Sequence, residues 1–277
     1  MRPYGLFPFS TIPLNNTGQW FRRGLGIIHC LLIDTGDGLI LVDAGYGIRD
    51  YTHPTNIVRN FNRVIGLVNE IEETALRQII ALGYDPGDVK HIFLTHMHLD
   101  HTGGILDFPH AKVHVFEEEY QFSMAGKGLE AKAYIQQHWA HNPDWEIHKL
   151  QGDKWFGLDC TPRVEIGEVE IFFMPFLGHT RGNCAVVAHL PDDHWIIHAG
   201  DTYGYHGQIH PLKPFYPPFQ WLFRPIFLLH RVARSFFKYD KHFQHFQREL
   251  GEKIIIFNSH DPHEFERLSG EKIIDHN

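Results

Sequence analysis

Thr95-His96-Met97-His98-Leu99-Asp100-His101 sets three imidazoles and one carboxylate between positions 96 and 101, directly behind the apolar run Ile92-Phe93-Leu94. Such a run reads as a buried strand ending in a loop. Imidazole with carboxylate suits zinc, iron, manganese or cobalt. Four such groups on one short loop can feed two ions, because a single tetrahedral ion would leave no open position for water. His96 and His98 are one residue apart, so on extended backbone they point the same way. Asp100 and His101 follow the turn and can face a second ion. The chain holds 23 His, so an isolated histidine says little. A dense cluster at a strand end says more.

The segment His91-Ile-Phe-Leu-Thr-His-Met-His-Leu-Asp-His-Thr-Gly-Gly104 resembles the metal-binding motif of the metallo-β-lactamase-fold hydrolases. The resemblance runs from about Leu31 to His260. It implies an α/β fold, a four-layer αββα sandwich, with a two-metal site along one edge. Phe176-Leu-Gly-His-Thr-Arg-Gly182 resembles the family's Gly-His-Thr motif, which would add His179 to His96 and His98 on the first ion. Ile196-Ile-His-Ala-Gly-Asp201 resembles the strand delivering a bridging aspartate, so Asp201 would link the two ions. Ile254-Ile-Ile-Phe-Asn-Ser-His260 resembles the late strand that ends in a histidine, so His260 would join Asp100 and His101 on the second ion. Leu39-Ile-Leu-Val-Asp43-Ala-Gly45 resembles the early strand whose aspartate supports the metal loop from behind, and metal-binding imidazoles need such orienting partners. Each landmark has an ordinary reading on its own. His179 could be a turn residue, Asp201 an N-cap, His260 a satisfied loop histidine and Asp43 a turn closer. Their order, each after an apolar strand, is what gives them weight.

At 277 residues the chain can form one large domain or two small ones, and 43% hydrophobic residues suffice for a core. The expected organisation is a single domain over 1–277 with an insert at about 203–250. A net charge of -8 opposes tight binding to a phosphate backbone, so no nucleic-acid partner is expected. No run of 18 apolar residues is present, so no membrane span is expected. Met1-Arg-Pro-Tyr-Gly-Leu-Phe-Pro lacks a signal-peptide core. Cys30, Cys160 and Cys184 form no CxxC pair, which argues against a disulfide framework or a thiolate site. Cys30 and Cys184 read as small core residues, and a cytoplasmic location is the expectation.

The chain reads as two similar halves. Ile27–Ile33 and Leu39–Val42 read as strands joined by the turn-rich Asp34-Thr-Gly-Asp-Gly38. The apolar spacing of Ile71, Ala75, Leu76, Ile79 and Leu82 predicts a helix over Glu70–Leu82, stopped at Gly83 with Pro86 beyond. Residues 46–68 give no clear pattern. Further strands are expected at Lys112–Val115, Val169–Met174, Cys184–Leu190, Trp195–His198 and Ile254–Asn258, with partial helix over Glu117–Ala140 and a link at Asp153–Arg163. Trp155 and Trp221 read as packing residues. Strands with intervening helices imply sheets covered by helices.

From Tyr203 to about Leu250 the chain is dense in aromatic residues, proline and histidine, notably Tyr216-Pro-Pro-Phe-Gln-Trp-Leu-Phe-Arg-Pro-Ile-Phe-Leu-Leu229 and Arg231-Val-Ala-Arg-Ser-Phe-Phe-Lys238. This insert follows the bridging aspartate and should leave the sheet close to the metals. It is expected to be a helical cap whose apolar face lines a substrate cleft or a homodimer surface, since large apolar patches are seldom left in water. The plainer alternative is an amphipathic helix packed on the body of the domain.

Two ions about 3.5 Å apart can share a hydroxide at neutral pH. That hydroxide would attack the carbonyl of a small-molecule substrate while an ion polarises the carbonyl oxygen. Asp100 or Asp201 could pass a proton to the leaving group. Tyr203 and Tyr205 could hydrogen-bond the carbonyl or serve in packing. Arg181 could hold an anionic part of the substrate or lie at the surface. Within the family the chain looks most like the N-acyl homoserine lactonase branch, in length and in the arrangement from Gly83-Tyr-Asp-Pro to Gly104. It departs at Gly204, where that branch carries tyrosine, and at Asn183, where histidine is common both there and in glyoxalase II-like thioesterases. The resemblance therefore implies a hydrolase with two divalent ions, zinc foremost with iron, manganese or cobalt as options. A lactone is the favoured substrate, and a thioester or phosphoester the alternative. A β-lactamase would carry an export signal, a nuclease a basic surface, and a diiron redox protein a glutamate at the place of His98 and a flavin domain. A metal-binding module without catalysis is the alternative from another class.

Overall fold

Two five-stranded sheets face each other, one from each half of the chain. The computed structural model describes residues 4–5, 25–65, 70–126, 130–216 and 237–272. A minor antiparallel pair, β1 (Tyr4–Gly5) and β2 (Leu25–Gly26), precedes the sheets. The first sheet runs in the order β3 (Leu31–Asp34), β4 (Leu39–Val42), β5 (Val89–Phe93), β6 (Lys112–Phe116) and β7 (Asp144–His148). Only its β3–β4 hairpin is antiparallel. A two-stranded hairpin, β8 (Lys154–Trp155) and β9 (Leu158–Asp159), forms within the link between the halves. The second sheet is β10 (Val164–Ile166), β11 (Val169–Pro175), β12 (Cys184–His189), β13 (Trp195–His198) and β14 (Ile254–Phe257). Its strands are antiparallel except for the parallel pair β13–β14.

Among the described residues the helices are α1 (Ile48–Thr52), α2 (Asn56–Ile65), α3 (Ala75–Ala81), α4 (Leu99–Thr102), α5 (Glu117–Ala125), α6 (Asp240–Leu250) and α7 (Pro262–Ser269). Side-chain alternation sorts each strand between two layers. Phe173 of β11 shares the inter-sheet core with Ile40, Val42, Phe93 and Phe116 of the first sheet. Its neighbours Phe172 and Met174 turn outward and share a core with Phe243 and Phe246 of α6. On the other side, Ala75 and Ile79 of α3 cover Leu39, Leu41, Val113 and Val115. The layers are helix, sheet, sheet, helix, which is the αββα sandwich. None of the described helices is long and apolar enough to cross a membrane.

Several elements differ from the sequence reading. The helix expected over Glu70–Leu82 starts at Ala75, because Thr74 Oγ1 accepts from the Arg77 amide at 3.4 Å as an N-cap, and a short 3-10 turn fills Ile71–Glu73. Residues 46–68 contribute α1 and α2. The edge strands β7 and β10 escaped notice because each pairs on one side only and carries polar residues. The far end of the segment read as an insert forms α6, which packs on the second sheet. Trp221 and most of the apolar run lie outside the described residues.

Towards β7 the inner face of the first sheet turns polar. His91, His114 and His148 stand in a row on neighbouring strands, with His91 Nδ1 2.9 Å from His114 Nε2 and His114 Nδ1 2.9 Å from His148 Nε2. The row borders a cavity of about 360 Å³, with Lys112, Glu146 and Glu165 also on its wall. A neutral imidazole has one donor and one acceptor, so three neutral rings can satisfy one another in series. Burial, with the neighbouring rings His148 and His91 adding to it, holds His114 down at about 2, and burial also lowers His91 and His148. The unfolded chain therefore takes up protons below about pH 6.5 that the folded row refuses, and stability falls as the pH drops through that value. The expected outcome is that His114→Phe makes the loss of unfolding free energy between pH 7 and pH 5 shallower by about one proton. Denaturant melts at several pH values measure this, and an unchanged slope would remove the row from the acid response.

Candidate metal centre

The sequence-derived ligands gather along one rim, where β5, β11, β13 and β14 end. His96, His98, Asp100 and His101 come from the loop and helix after β5. His179 lies between β11 and β12, Asp201 follows β13, and His260 follows β14. The donor atoms of His96, His98 and His179 lie within 4.8 Å of one another. The same holds for His96, His101 and Asp201, and for Asp100, His101 and His260. Asp201 stands between the outer groups. Its Oδ2 is 3.2 Å from both His179 Nε2 and His260 Nε2, and its Oδ1 is 3.6 Å from His101 Nε2. His179 Nε2 is 3.1 Å from His98 Nδ1.

Backbone and second partners aim these rings. Asp43 sits at φ 56°, in the left-handed region that Asp and Asn tolerate better than most residues. From there its carboxylate accepts the Thr95 amide and hydroxyl at 2.8 Å each, and faces His101 Nδ1 at 2.8 Å. A carboxylate can only accept, so His101 Nδ1 donates and Nε2 is turned towards the cluster. His260 Nδ1 likewise donates to the Ile27 carbonyl at 2.7 Å, which turns its Nε2 towards Asp201.

The residues fit divalent cations. Buried His96 Nε2, His101 Nε2 and Asp201 Oδ1 have no hydrogen-bond partner among the described residues. Buried polar atoms are normally satisfied, and these three belong to one donor group. The electrostatics agree. Burial, then the nearby His101, holds His96 well below the usual imidazole range, and His98 is lowered by burial and by His179. Burial works against charge on His101, yet Asp43 and Asp100 push it up to about 10. His260 rises to about 9 against its own burial, through Asp201 and Asp100. Asp201 stays well below the ordinary carboxylate range despite burial, chiefly through His260 and His179. Carboxylates and imidazoles enclosed together need positive charge between them, from protons or from metal ions that displace those protons.

Sequence reasoning missed Glu119. It is fully buried, and Oε1 accepts the Met97 amide at 2.8 Å and the Tyr134 hydroxyl at 3.2 Å. Oε2 accepts the Thr180 hydroxyl at 2.6 Å and the Gly182 amide at 3.0 Å. One carboxylate thus joins the loop of His96 and His98 to the loop of His179. Burial still leaves its carboxyl above the usual range, against the four donors. The fit explains Gly182, where a Cβ would stand 2.3 Å from the Glu119 backbone nitrogen. The acidic run Glu117-Glu118-Glu119 gave no sign of this.

Tyr203, Tyr205 and Arg181 make contacts with groups outside the cluster. Tyr203 is a correction. It is buried beside Phe243, and its hydroxyl donates to Glu264 Oε1 at 2.7 Å, so the phenol is committed inside the second core. Tyr205 packs its ring near His206 and Phe215. Arg181 is exposed, with its guanidinium 4.3 Å from the centre of the Phe122 ring. Asn183 donates to the Phe176 carbonyl and to Thr202 Oγ1, which ties the loop base together.

Residues 23–226 match the family model for the metallo-beta-lactamase superfamily. Probable metallo-hydrolases of Mycobacterium bovis and Mycobacterium tuberculosis are 37% identical over 196 residues, covering 70% of this chain. The chain spans 63% of the length of those relatives. An N-acyl homoserine lactonase of Rhizobium radiobacter is 28% identical over 162 residues, 58% of this chain and 59% of its own. Among solved structures, an N-acyl homoserine lactone hydrolase with N-hexanoyl-L-homoserine at its catalytic metal centre aligns with a TM-score of 0.61 at 19% identity, over 99% of this chain and 95% of the other. A Bacillus thuringiensis AiiA variant with N-decanoyl-L-homoserine at its active site aligns at 0.60 and 18% identity, over 99% and 97%. At such identities the structural likeness speaks for the fold. The family match covers most of the chain, and the chain belongs to the metallo-beta-lactamase superfamily.

Proposed function

We propose that this chain is a metal-dependent hydrolase with two divalent ions, zinc foremost, and that it opens a lactone of the N-acyl homoserine type. The observation that carries the reading is Asp201, whose Oδ2 lies 3.2 Å from His179 of one donor group and from His260 of the other while its Oδ1 faces His101 at 3.6 Å. His96, His98 and His179 would hold one ion, Asp100, His101 and His260 the other, and Asp201 both. The ions would supply an activated water and a Lewis acid for the substrate carbonyl.

The chain's own groups do the rest. Asp43, the Ile27 carbonyl and Glu119 keep the ligand rings aimed, so little reorganisation accompanies the reaction. Asp100, with Oδ2 3.6 Å from His260 Nε2, would take a proton and return it to the leaving oxygen. Arg181, on the loop of His179, would meet the carboxylate that ring opening creates. The lactone reading draws on the Rhizobium radiobacter relative and on the solved lactonases of the same fold. A second reading, thioester or phosphoester hydrolysis, draws on Tyr203. Gly204 occupies the place where the lactonase pattern has tyrosine, and the neighbouring Tyr203 phenol is held by Glu264.

A turnover panel of N-acyl homoserine lactones, thioesters, phosphoesters and β-lactams, on protein with measured metal content, tests the proposal. The lactones should give the highest kcat/KM. Preference for thioesters would move the substrate class, and metal-loaded protein inert to the whole panel would point to a binding module. His96→Ala and Asp201→Asn should each lose bound metal and turnover together; retention of both in either variant would falsify the ligand assignment. Glu119→Gln offers a donor where two donors already point, and should weaken metal binding about 10–100-fold, as expected for a partner behind the ligands. Metal titration against a competing chelator reads this directly, and affinity equal to the parent would mean the clamp is dispensable.

A further inference from the structure

Behind the metal loop lies a second chain of buried polar groups that the proposed reaction does not use. His138, in the short turn Gln136–Trp139, places Nε2 2.9 Å from Asp50 Oδ1 and Nδ1 2.9 Å from Thr102 Oγ1. The Thr102 hydroxyl reaches the carbonyl of His98 at 3.1 Å. Asp50 Oδ2 accepts the Gly47 amide at 3.1 Å. Asp50, Thr102 and His138 belong to α1, α4 and the 136–139 turn, and none is more than 4% exposed.

Hydroxyl, imidazole and carboxylate in series have the composition of a nucleophilic triad. Thr102 is fully buried, however, so no substrate reaches its oxygen. Burying such a set costs desolvation that an apolar trio would avoid. What the set supplies is position. Thr102 is the last residue of α4, and its hydroxyl bonds the carbonyl of the N-cap residue His98. Between those two ends lie Asp100 and His101. The bond therefore fixes a ligand of one donor group relative to two ligands of the other. The Asp50 carboxylate also packs on the backbone just past α4, where a Cβ on Gly103 would stand 2.1 Å from Oδ2. Tyr134, one turn before His138, rests its ring 5.3 Å from that of His98.

We infer that Asp50, His138 and Thr102 form a positioning relay that sets the spacing between the two metal positions. The inference rests on the reading of a two-ion centre. Mn²⁺-loaded protein tests it through two quantities, the affinity for the second equivalent and the electron-spin coupling between the ions, which follows their separation. Thr102→Val keeps the shape and removes the hydroxyl, whereas Thr102→Ser keeps the hydroxyl. The valine variant should bind the second equivalent about 10–100-fold more weakly and show altered coupling. The serine variant should restore both. His138→Ala should resemble the valine variant, and the double variant should be no worse than either, as for groups acting in series. If the parent binds two coupled ions and Thr102→Val lowers only the melting temperature, the relay is structural and the inference fails alone. If the parent binds a single ion, the two-ion reading fails and takes the inference with it.

Discussion

Asp43 accepts the amide and the hydroxyl of Thr95 and orients His101, from a backbone conformation open to few side chains. Thr95 in turn accepts the amide of Cys184 through its carbonyl at 2.9 Å, so the carboxylate of the first sheet is linked to the opening residue of β12 in the second. Burying a carboxylate costs several kcal/mol. Hydrogen bonds to a charged group return roughly 1.5–3 kcal/mol each, so three of them are enough to offset that cost. The seam between the sheets is closed where the ligands from the two halves of the chain must meet.

Glu119 does for the imidazole group what Asp43 does for the carboxylate-rich group. Asp43 ties the stretch from Thr95 to His101 to the first sheet, and Glu119 gathers donors from three segments far apart in sequence. The candidate ligands sit on loops and on the short α4, and these carboxylates tie those segments back to the sheets. A centre arranged this way is ready before any ion or substrate arrives, which is the condition for fixed groups to act without reorganising.

The sequence reveals what is locally dense. Four ligands within one turn of chain, and apolar runs such as Ile254-Ile-Ile-Phe257, announce themselves. Contributions assembled only by folding stay hidden. Glu119 looks like its neighbours, the half-buried Glu117 and the exposed Glu118, and nothing local marks it as the member that turns inward. His91, His114 and His148 are isolated letters until parallel pairing of β5, β6 and β7 sets them side by side. Tyr203 misled in the opposite direction. Its nearness to Asp201 suggested a phenol at the mouth of the site, but Glu264, from α7, claims it.

β13 and β14 lie next to each other and run the same way, and they deliver Asp201 and His260 at the same end. Parallel neighbours cannot be joined by a tight turn. The chain leaving Asp201 must travel back to the opposite end of the sandwich, and α6, against the outer face of the second sheet, lies on that return. The parallel pair thus fixes the separation of Asp201 and His260 through the sheet itself, whatever the length of chain between them.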